Sequence, residues 1–168
     1  MNGAAEAASS EEALTPELAA RRRWMSVLAK ASVAELENVV ASIRGLVGEL
    51  PAYRLIHKPE IGMTMVRARA GGTGRQFNLG EMTMTRCTLR TAAGQTGCAY
   101  VAGRSMRHAE LAAFVDALLQ EPGHQAQLHA LVIDPLARAQ DLRRRRRIDR
   151  SAPTRVEFFT VVRGEDKE

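Results

Sequence analysis

In the first part of the chain, the apolar residues have the spacing of two amphipathic helices. Thr15-Pro16 predicts the first start, because threonine caps free backbone N–H groups and proline suits the first helical position. The apolar face of this helix consists of Leu18, Met25 and Leu28, with Trp24 beside it. That face places Arg21–Arg23 mostly on the solvent side. Ser32-Val33-Ala34-Glu35 is a capping box and predicts the start of the second helix.

Between residues 53 and 102 the apolar period changes to two, which is typical of strands. Residues 53–57 and 62–70 are predicted as two extended segments, followed by strands over 77–91 and Thr96–Ala102. Gly80 predicts a bulge or bend within the longer strand. The pattern therefore indicates an antiparallel meander with one face to cover.

Helical spacing returns after Gly103. Ser105 can cap a helix whose apolar face consists of Leu111, Phe114, Val115 and Leu118. Asp134-Pro135 predicts a further helix start, leading into an arginine-rich helix that reaches about Arg150. Residues 154–162 alternate again and could add a last strand. The order predicts an α+β fold, with an antiparallel sheet of about four strands, helices packed on one face, and N- and C-terminal helices flanking it.

The length of 168 residues suits a single domain over residues 15–168. Residues 1–14 are rich in alanine, serine and glutamate without an apolar stripe, so they are predicted as a disordered leader. Two cysteines form no disulfide framework, which favours a reducing compartment. No apolar run reaches the length of a membrane helix, and the N-terminus lacks the features of a secretory signal. These observations predict a cytoplasmic protein without a membrane segment.

The net charge of +5 favours an anionic partner, but it does not choose between nucleic acid, a phosphorylated ligand and an acidic protein. Arg143–Arg147 is a run of five arginines that fits a solvated or partner-facing helix, or a nucleic-acid contact. Aromatic residues make up 4% of the chain, and no stacking platform for single strands is visible. Four methionines of the predicted strands suit either an adaptable interface or the core: Met63, Met65, Met82 and Met84.

The strongest chemical candidate is the loop Gly71-Gly72-Thr73-Gly74-Arg75. Its glycines can expose N–H groups to a phosphate, and Arg75 and Thr73 can complete an anion site. The loop lacks the lysine of a P-loop, so a simple glycine turn between strands is the alternative. Arg86 and Arg104 are secondary candidates, since the meander could bring them near this loop.

His108-Ala109-Glu110 has the H-x-E spacing of zinc deaminases, which makes His108 and Glu110 secondary candidates as well. No P-C-x-x-C follows to supply thiolate ligands, and His124 and His129 are five residues apart, which is not a helical ligand spacing. We expect no metal site.

Several short motifs in their order along residues 22–166 resemble the PhnG family of the bacterial carbon–phosphorus lyase system. They are Arg23-Trp24-Met25-Ser26-Val27-Leu28-Ala29, Gly71-Gly72-Thr73-Gly74, Thr85-Arg86, Gly103-Arg104, His108-Ala109-Glu110, Arg155-Val156-Glu157-Phe158-Phe159-Thr160 and Val162-Arg163-Gly164. Residues 1–20 and Arg143–Arg147 depart from the pattern and inherit no role.

The resemblance implies a subunit of a complex with PhnH, PhnI and PhnJ partners and a further nucleotide-binding subunit. That complex joins a phosphonate, such as methylphosphonate, to C1 of the ribose of ATP. Adenine leaves, and the product is ribose 1-methylphosphonate 5-triphosphate. The resemblance places the nucleosidase-type activity on PhnI and the iron–sulfur chemistry on PhnJ, so this subunit is expected to be non-catalytic and to carry no cofactor. The residues alone leave one other hypothesis open, an arginine-rich nucleic-acid-binding module.

Overall fold

The order of helices and strands confirms the predicted α+β class. A computed structural model describes residues 15–69 and 74–151. Its elements are α1 (Pro16–Leu28), α2 (Val33–Val47), β1 (Tyr53–Arg69), β2 (Gln76–Thr91), β3 (Thr96–Ala102), α3 (Met106–Leu118), α4 (Gln125–Leu128), a π-helical turn (His129–Ile133) and α5 (Asp134–Ser151). The predicted leader 1–14 and the predicted strand 154–162 lie outside the described residues.

Three helix starts follow from local sequence, as predicted. The Thr15 hydroxyl accepts the Leu18 N–H, and the Ser105 hydroxyl accepts the His108 N–H. Ser32 and Glu35 form the full capping box, in which each side chain accepts the other residue's backbone N–H. These caps satisfy backbone donors that a helix cannot pair internally.

The fourth predicted helix start is wrong. Asp134 has helical dihedral angles and continues directly from the π-helical turn into α5, so it is not an N-cap. The chain is therefore helical without a break from Gln125 to Ser151. Val132 and Ile133 are buried on this run, so tertiary packing holds the chain helical where Asp134-Pro135 suggested a new start.

The sheet of the described chain is antiparallel in the order β1-β2-β3, so it has three strands where about four were predicted. The two extended segments predicted over 53–57 and 62–70 are one continuous strand, β1. Its register with β2 shifts between Leu55 and Glu60, around Pro59, which has no N–H to donate. The bulge predicted at Gly80 is confirmed, because Val66 pairs with Gly80 and Arg67 pairs with Asn78, which leaves Leu79 as the extra residue.

One helix, α3, packs across β2 and β3, and α1 and α2 pack on α3. The four predicted apolar residues of α3 are buried, and so are residues on its other faces, including Ala109, Ala113 and Ala117. Gly97 of β3 allows this close approach, since a Cβ there would collide with the Ala113 carbonyl oxygen. Helices thus cover one face of the sheet, as predicted.

The prediction that Arg21 faces solvent is wrong. Its guanidinium contacts the carboxylate of Asp116 at 2.7 Å, and that carboxylate is fully buried. The pair lies at the outer edge of β3, where Asp116 accepts the Cys98 N–H and Arg21 donates to the Thr96 carbonyl. Leu18, which was predicted to lie on the apolar face of this helix, is exposed instead. Helix α1 is therefore rotated so that Arg21 and Trp24 reach α3.

Candidate functional site

The most exposed apolar part of the described chain is a two-stranded ribbon, here called the arm, formed by residues 63–69 and 76–83. Strand β3 pairs with β2 only between Arg90 and Met84, and the Gly103 N–H makes one last bond to the Thr83 carbonyl. Beyond that point, β2 pairs with β1 alone among the described residues. At the usual rise per residue, the arm extends about 23 Å from the body.

Large apolar side chains are exposed along the arm. Met63 is 72% exposed and Leu79 is 63% exposed, and the other members of the set are Met65, Phe77 and Met82. Met84, at the base, is half-buried. The core interpretation is wrong for the first three methionines, since these side chains pack into no core of the described chain, and the interface interpretation stays a prediction.

These side chains lie on both faces of the arm. Residues directly opposite in an antiparallel pair share a face. Met63 is opposite Thr83 and Met65 is opposite Glu81, which defines one face. On the other face Thr64 is opposite Met82 and Ala68 is opposite Phe77, with Phe77 itself 45% exposed.

Two residues of the predicted anion loop, Gly74 and Arg75, lie at the end of the arm. Gly71, Gly72 and Thr73 lie outside the described residues, whereas Gly74 and Arg75 are described. The Arg69 guanidinium donates to the Gly74 carbonyl at 3.1 Å, and the Arg75 side chain is exposed. Together with Arg67, these arginines make the end of the arm basic. No described carboxylate forms an ion pair with any of the three.

The structure does not bring Arg86 and Arg104 to this loop. Arg86 pairs with Glu60 at 2.9 Å on the exposed face of the sheet, and this hydrogen bond raises the pKa of Arg86. Arg86 lies ten positions along β2 from Gln76, which corresponds to about 33 Å. Arg104 follows β3 at the base of the arm and is exposed. The length of the ribbon, which sequence spacing alone did not fix, keeps both arginines away from the loop.

His108 and Glu110 have separate packing roles in the described chain. The His108 ring, which is buried, lies 3.0 Å from the Leu28 carbonyl oxygen and joins α3 to the end of α1. The Glu110 carboxylate accepts a hydrogen bond from the Tyr53 hydroxyl at 2.6 Å. Burial and this bond raise the pKa of Tyr53 to about 12. The H-x-E spacing therefore reflects contacts of α3 with α1 and β1.

The two thiols are poor nucleophiles where they lie. Burial raises the pKa of Cys87 to about 11 and also raises the pKa of Cys98, so both remain protonated at neutral pH. In residues 15–69 and 74–151, no three histidine, cysteine or acidic side chains cluster as metal ligands would. The arrangement suits binding by the arm rather than bond-making by the body.

Sequence reasoning missed Asp116. Its signal is a single carboxylate in the otherwise apolar second half of α3, flanked by Val115 and Ala117. Such a residue is rarely buried unless it is paired, so it predicts a donor on a neighbouring element. Arg21 and Trp24 are those donors.

Residues 19–164 match the family described as "Phosphonate metabolism protein PhnG". The chain belongs to the PhnG family. A relative from Rhizobium meliloti (strain 1021) is named "Alpha-D-ribose 1-methylphosphonate 5-triphosphate synthase subunit PhnG" and is 41% identical over 149 residues. The alignment covers 89% of this chain and 92% of the relative. The family assignment made from short motifs is thereby confirmed, and the PhnG match gives no support to a nucleic-acid-binding module.

None of the helices in the described part of the chain is suited to spanning a bilayer. Across residues 15–69 and 74–151, each helix is too short or too polar to cross a membrane.

Proposed function

We propose that the chain is a non-catalytic subunit of an α-D-ribose 1-methylphosphonate 5-triphosphate synthase. This complex transfers a phosphonate, such as methylphosphonate, to C1 of the ribose of ATP with release of adenine. Family membership supports the assignment. So does the relative named as a synthase subunit, which aligns with this chain over nearly its whole length. ATP is then a substrate of the complex, and this subunit needs no cofactor of its own.

The arm is the single structural observation that supports a role in assembly. A contiguous set of exposed apolar side chains on a projecting ribbon is typical of a protein–protein contact. The buried Cys87, the half-buried Cys98 and the engaged Glu110 in the body offer no comparable argument for catalysis. The subunit contributes surfaces to the complex rather than reacting groups.

The partners we propose are PhnH-, PhnI- and PhnJ-like subunits together with a nucleotide-binding subunit of the same system, all cytoplasmic. The assignment of these particular partners rests on the family resemblance. Their reaction handles a triphosphate and a phosphonate, and the charges of both require cations nearby.

We also propose that Gly71–Arg75 contacts one of these anionic groups. The position of Arg75 supports this, because it is exposed at the end of the arm beside the basic side chains of Arg67 and Arg69. A planar guanidinium matches two anionic oxygens, and glycine N–H groups can add further donors. A turn without ligand contacts is the competing interpretation.

Growth and co-purification test the proposal. Deleting the gene should abolish growth on methylphosphonate as the sole phosphorus source and leave growth on phosphate unchanged. A tagged copy of the chain should restore growth and co-purify with the PhnI-like partner. Normal growth of the deletion strain on methylphosphonate, without a second gene copy, would refute the functional assignment. Strong, salt-dependent binding to bulk nucleic acid without partner capture would favour the nucleic-acid hypothesis.

A further inference from the structure

The described residues of the chain do not complete the arm. Among the described residues it has neither a third strand nor a helix over either face, and a lone two-stranded ribbon is marginally stable in water. Met63 and Met65 are exposed on one face, and Phe77 and Met82 on the other. A flat surface laid against one face would leave the opposite apolar side chains in water. A partner that covers the arm, here called the occupant, must therefore have two walls, one for each face of the ribbon.

The charges at the end of the arm restrict the occupant further. Arg67 and Arg69 are exposed two positions apart on β1, so they share a face, and no described carboxylate pairs with them. The only acidic residue of the arm is Glu81, opposite Met65. Burying arginines without a counter-charge is costly. The walls beside Arg67 and Arg69 must supply carboxylates, which leaves Arg75 for the anionic group of the proposed function.

A second copy of the chain does not fit these charges. Two arms side by side in parallel would place basic ends together, and like charges repel. In the antiparallel arrangement the basic end of one arm would meet the base of the other. There Glu60 is already paired with Arg86 at 2.9 Å, and Glu81 offers only one carboxylate per arm against Arg67 and Arg69. Two copies would therefore leave arginines without a counter-charge, which favours a different polypeptide as the occupant.

We infer that the arm inserts into an apolar cleft of another subunit, which covers both faces of the ribbon and places carboxylates beside Arg67 and Arg69. This inference rests on the proposed membership of a multi-subunit synthase and states how the chain is held there. The arm supplies about 15 residues, against the ~20–30 per side of a standard interface, so it forms most of the contact. Methionine side chains suit this role because they adapt to the shape of a cleft.

Paired substitutions on each face test the inference in the co-expressed complex. Met63→Ser with Met65→Ser alters one face, and Phe77→Ser with Met82→Ser alters the other. Each pair should raise the dissociation constant for the partner subunits at least tenfold. The control is Leu142→Ser on α5, which is 51% exposed but lies outside the arm, and it should change the constant less than twofold. Arg67→Glu with Arg69→Glu should also weaken binding, whereas Arg67→Lys with Arg69→Lys should largely retain it.

The outcomes separate this inference from the proposed function. If the complex forms but neither arm pair weakens it, the inference is overturned while the synthase role stands. If only one of the two pairs weakens binding, insertion into a cleft is overturned in favour of docking through one face of the arm. A homodimer of the isolated chain that Met63→Ser with Met65→Ser dissociates would assign the arm to a second copy. Failure of the wild-type chain to join any complex would instead overturn the proposed function. Thermal melts of the variant chains should match the wild type, since the altered side chains are exposed.

Discussion

The indole Nε1–H of Trp24 donates to the carboxylate of Asp116 at 2.8 Å, although 92 positions separate the two residues in the chain. Arg21, one turn earlier on α1, makes two further hydrogen bonds to the same carboxylate. The buried carboxylate of Asp116 thus accepts hydrogen bonds from side chains of α1 and from the backbone of β3. This cluster fixes the rotation of α1 against α3 and closes part of the open edge of the sheet.

Removing the carboxylate should destabilise the fold. Asp116→Ala removes the carboxylate that accepts from the Arg21 guanidinium, the Trp24 N–H and the Cys98 N–H. Breaking a buried pair in this way costs about 3–5 kcal/mol. Urea unfolding should show that loss in the free energy of unfolding. Asp141→Ala, at an exposed position on α5, is the matched control and should change it by less than about 0.5 kcal/mol. Equal effects of the two substitutions would contradict a structural role for the cluster.

Gly97→Ala should destabilise the contact between β3 and α3. The added Cβ would collide with the Ala113 carbonyl oxygen and lie 2.9 Å from the Ala117 Cβ. Overpacking of this kind costs about 1–3 kcal/mol, which a shift of the urea midpoint would report. Gly62→Ala on β1 is the control, because nothing lies within 4 Å of a Cβ at that position. A midpoint for Gly97→Ala equal to that of Gly62→Ala would show that the helix can move away without cost.

Stability should fall at high pH partly through Tyr53. Its pKa is raised from 10.0 to about 12 by burial and by the hydrogen bond to Glu110, so the folded state holds the phenolic proton more tightly than the unfolded state. This contribution is complete below pH 10 and is lost as the pH rises from 10 to 12. Tyr53→Phe should therefore show a shallower decline of unfolding free energy over that interval. Parallel curves for the two proteins would exclude Tyr53 as the titrating group.

Arg75→Ala tests whether the loop at the end of the arm binds an anionic substrate group. In the intact complex it should impair turnover by about 1–3 kcal/mol, the scale of a charge-assisted hydrogen bond, without changing subunit composition or melting temperature. Arg75→Lys should recover part of the loss, since it keeps the charge without the planar fork. Arg54→Ala, an exposed arginine at the far end of β1, is the control. If the loop is only a turn, Arg75→Ala will be silent and Gly72→Val will damage folding instead.

Deleting residues 1–14 should leave assembly and turnover unchanged. Helix α1 has its cap at Thr15, whose hydroxyl accepts the Leu18 N–H, so the truncated chain keeps the start of its first helix. Size-exclusion chromatography of the co-expressed complex and a turnover assay measure the effect. Loss of a subunit from the truncated complex would identify the leader as an interaction segment.

Local sequence predicted those features whose energies are local. The caps at Thr15, Ser32 and Ser105 and the bulge at Gly80 depend on residues a few positions apart, so they could be identified without the fold. The burial of Arg21 depends on Asp116, which is 95 positions away, and helical spacing carries no information about it. The separation of Arg86 from the loop likewise depends on the long β1–β2 pairing, in which two predicted segments join across Pro59.

The outer edge of β1 has a consequence for the life of the chain before assembly. Near Lys58 and Pro59 the edge is irregular, which discourages pairing with a stray strand, but the paired stretch of β1 from Glu60 to Val66 has no such interruption. In residues 15–69 and 74–151 this edge of β1 is open and bordered by apolar side chains, a combination that favours aggregation and capture by proteases in a copy without its partners. Cells producing this chain in excess should clear the surplus, so that its abundance follows that of its partners.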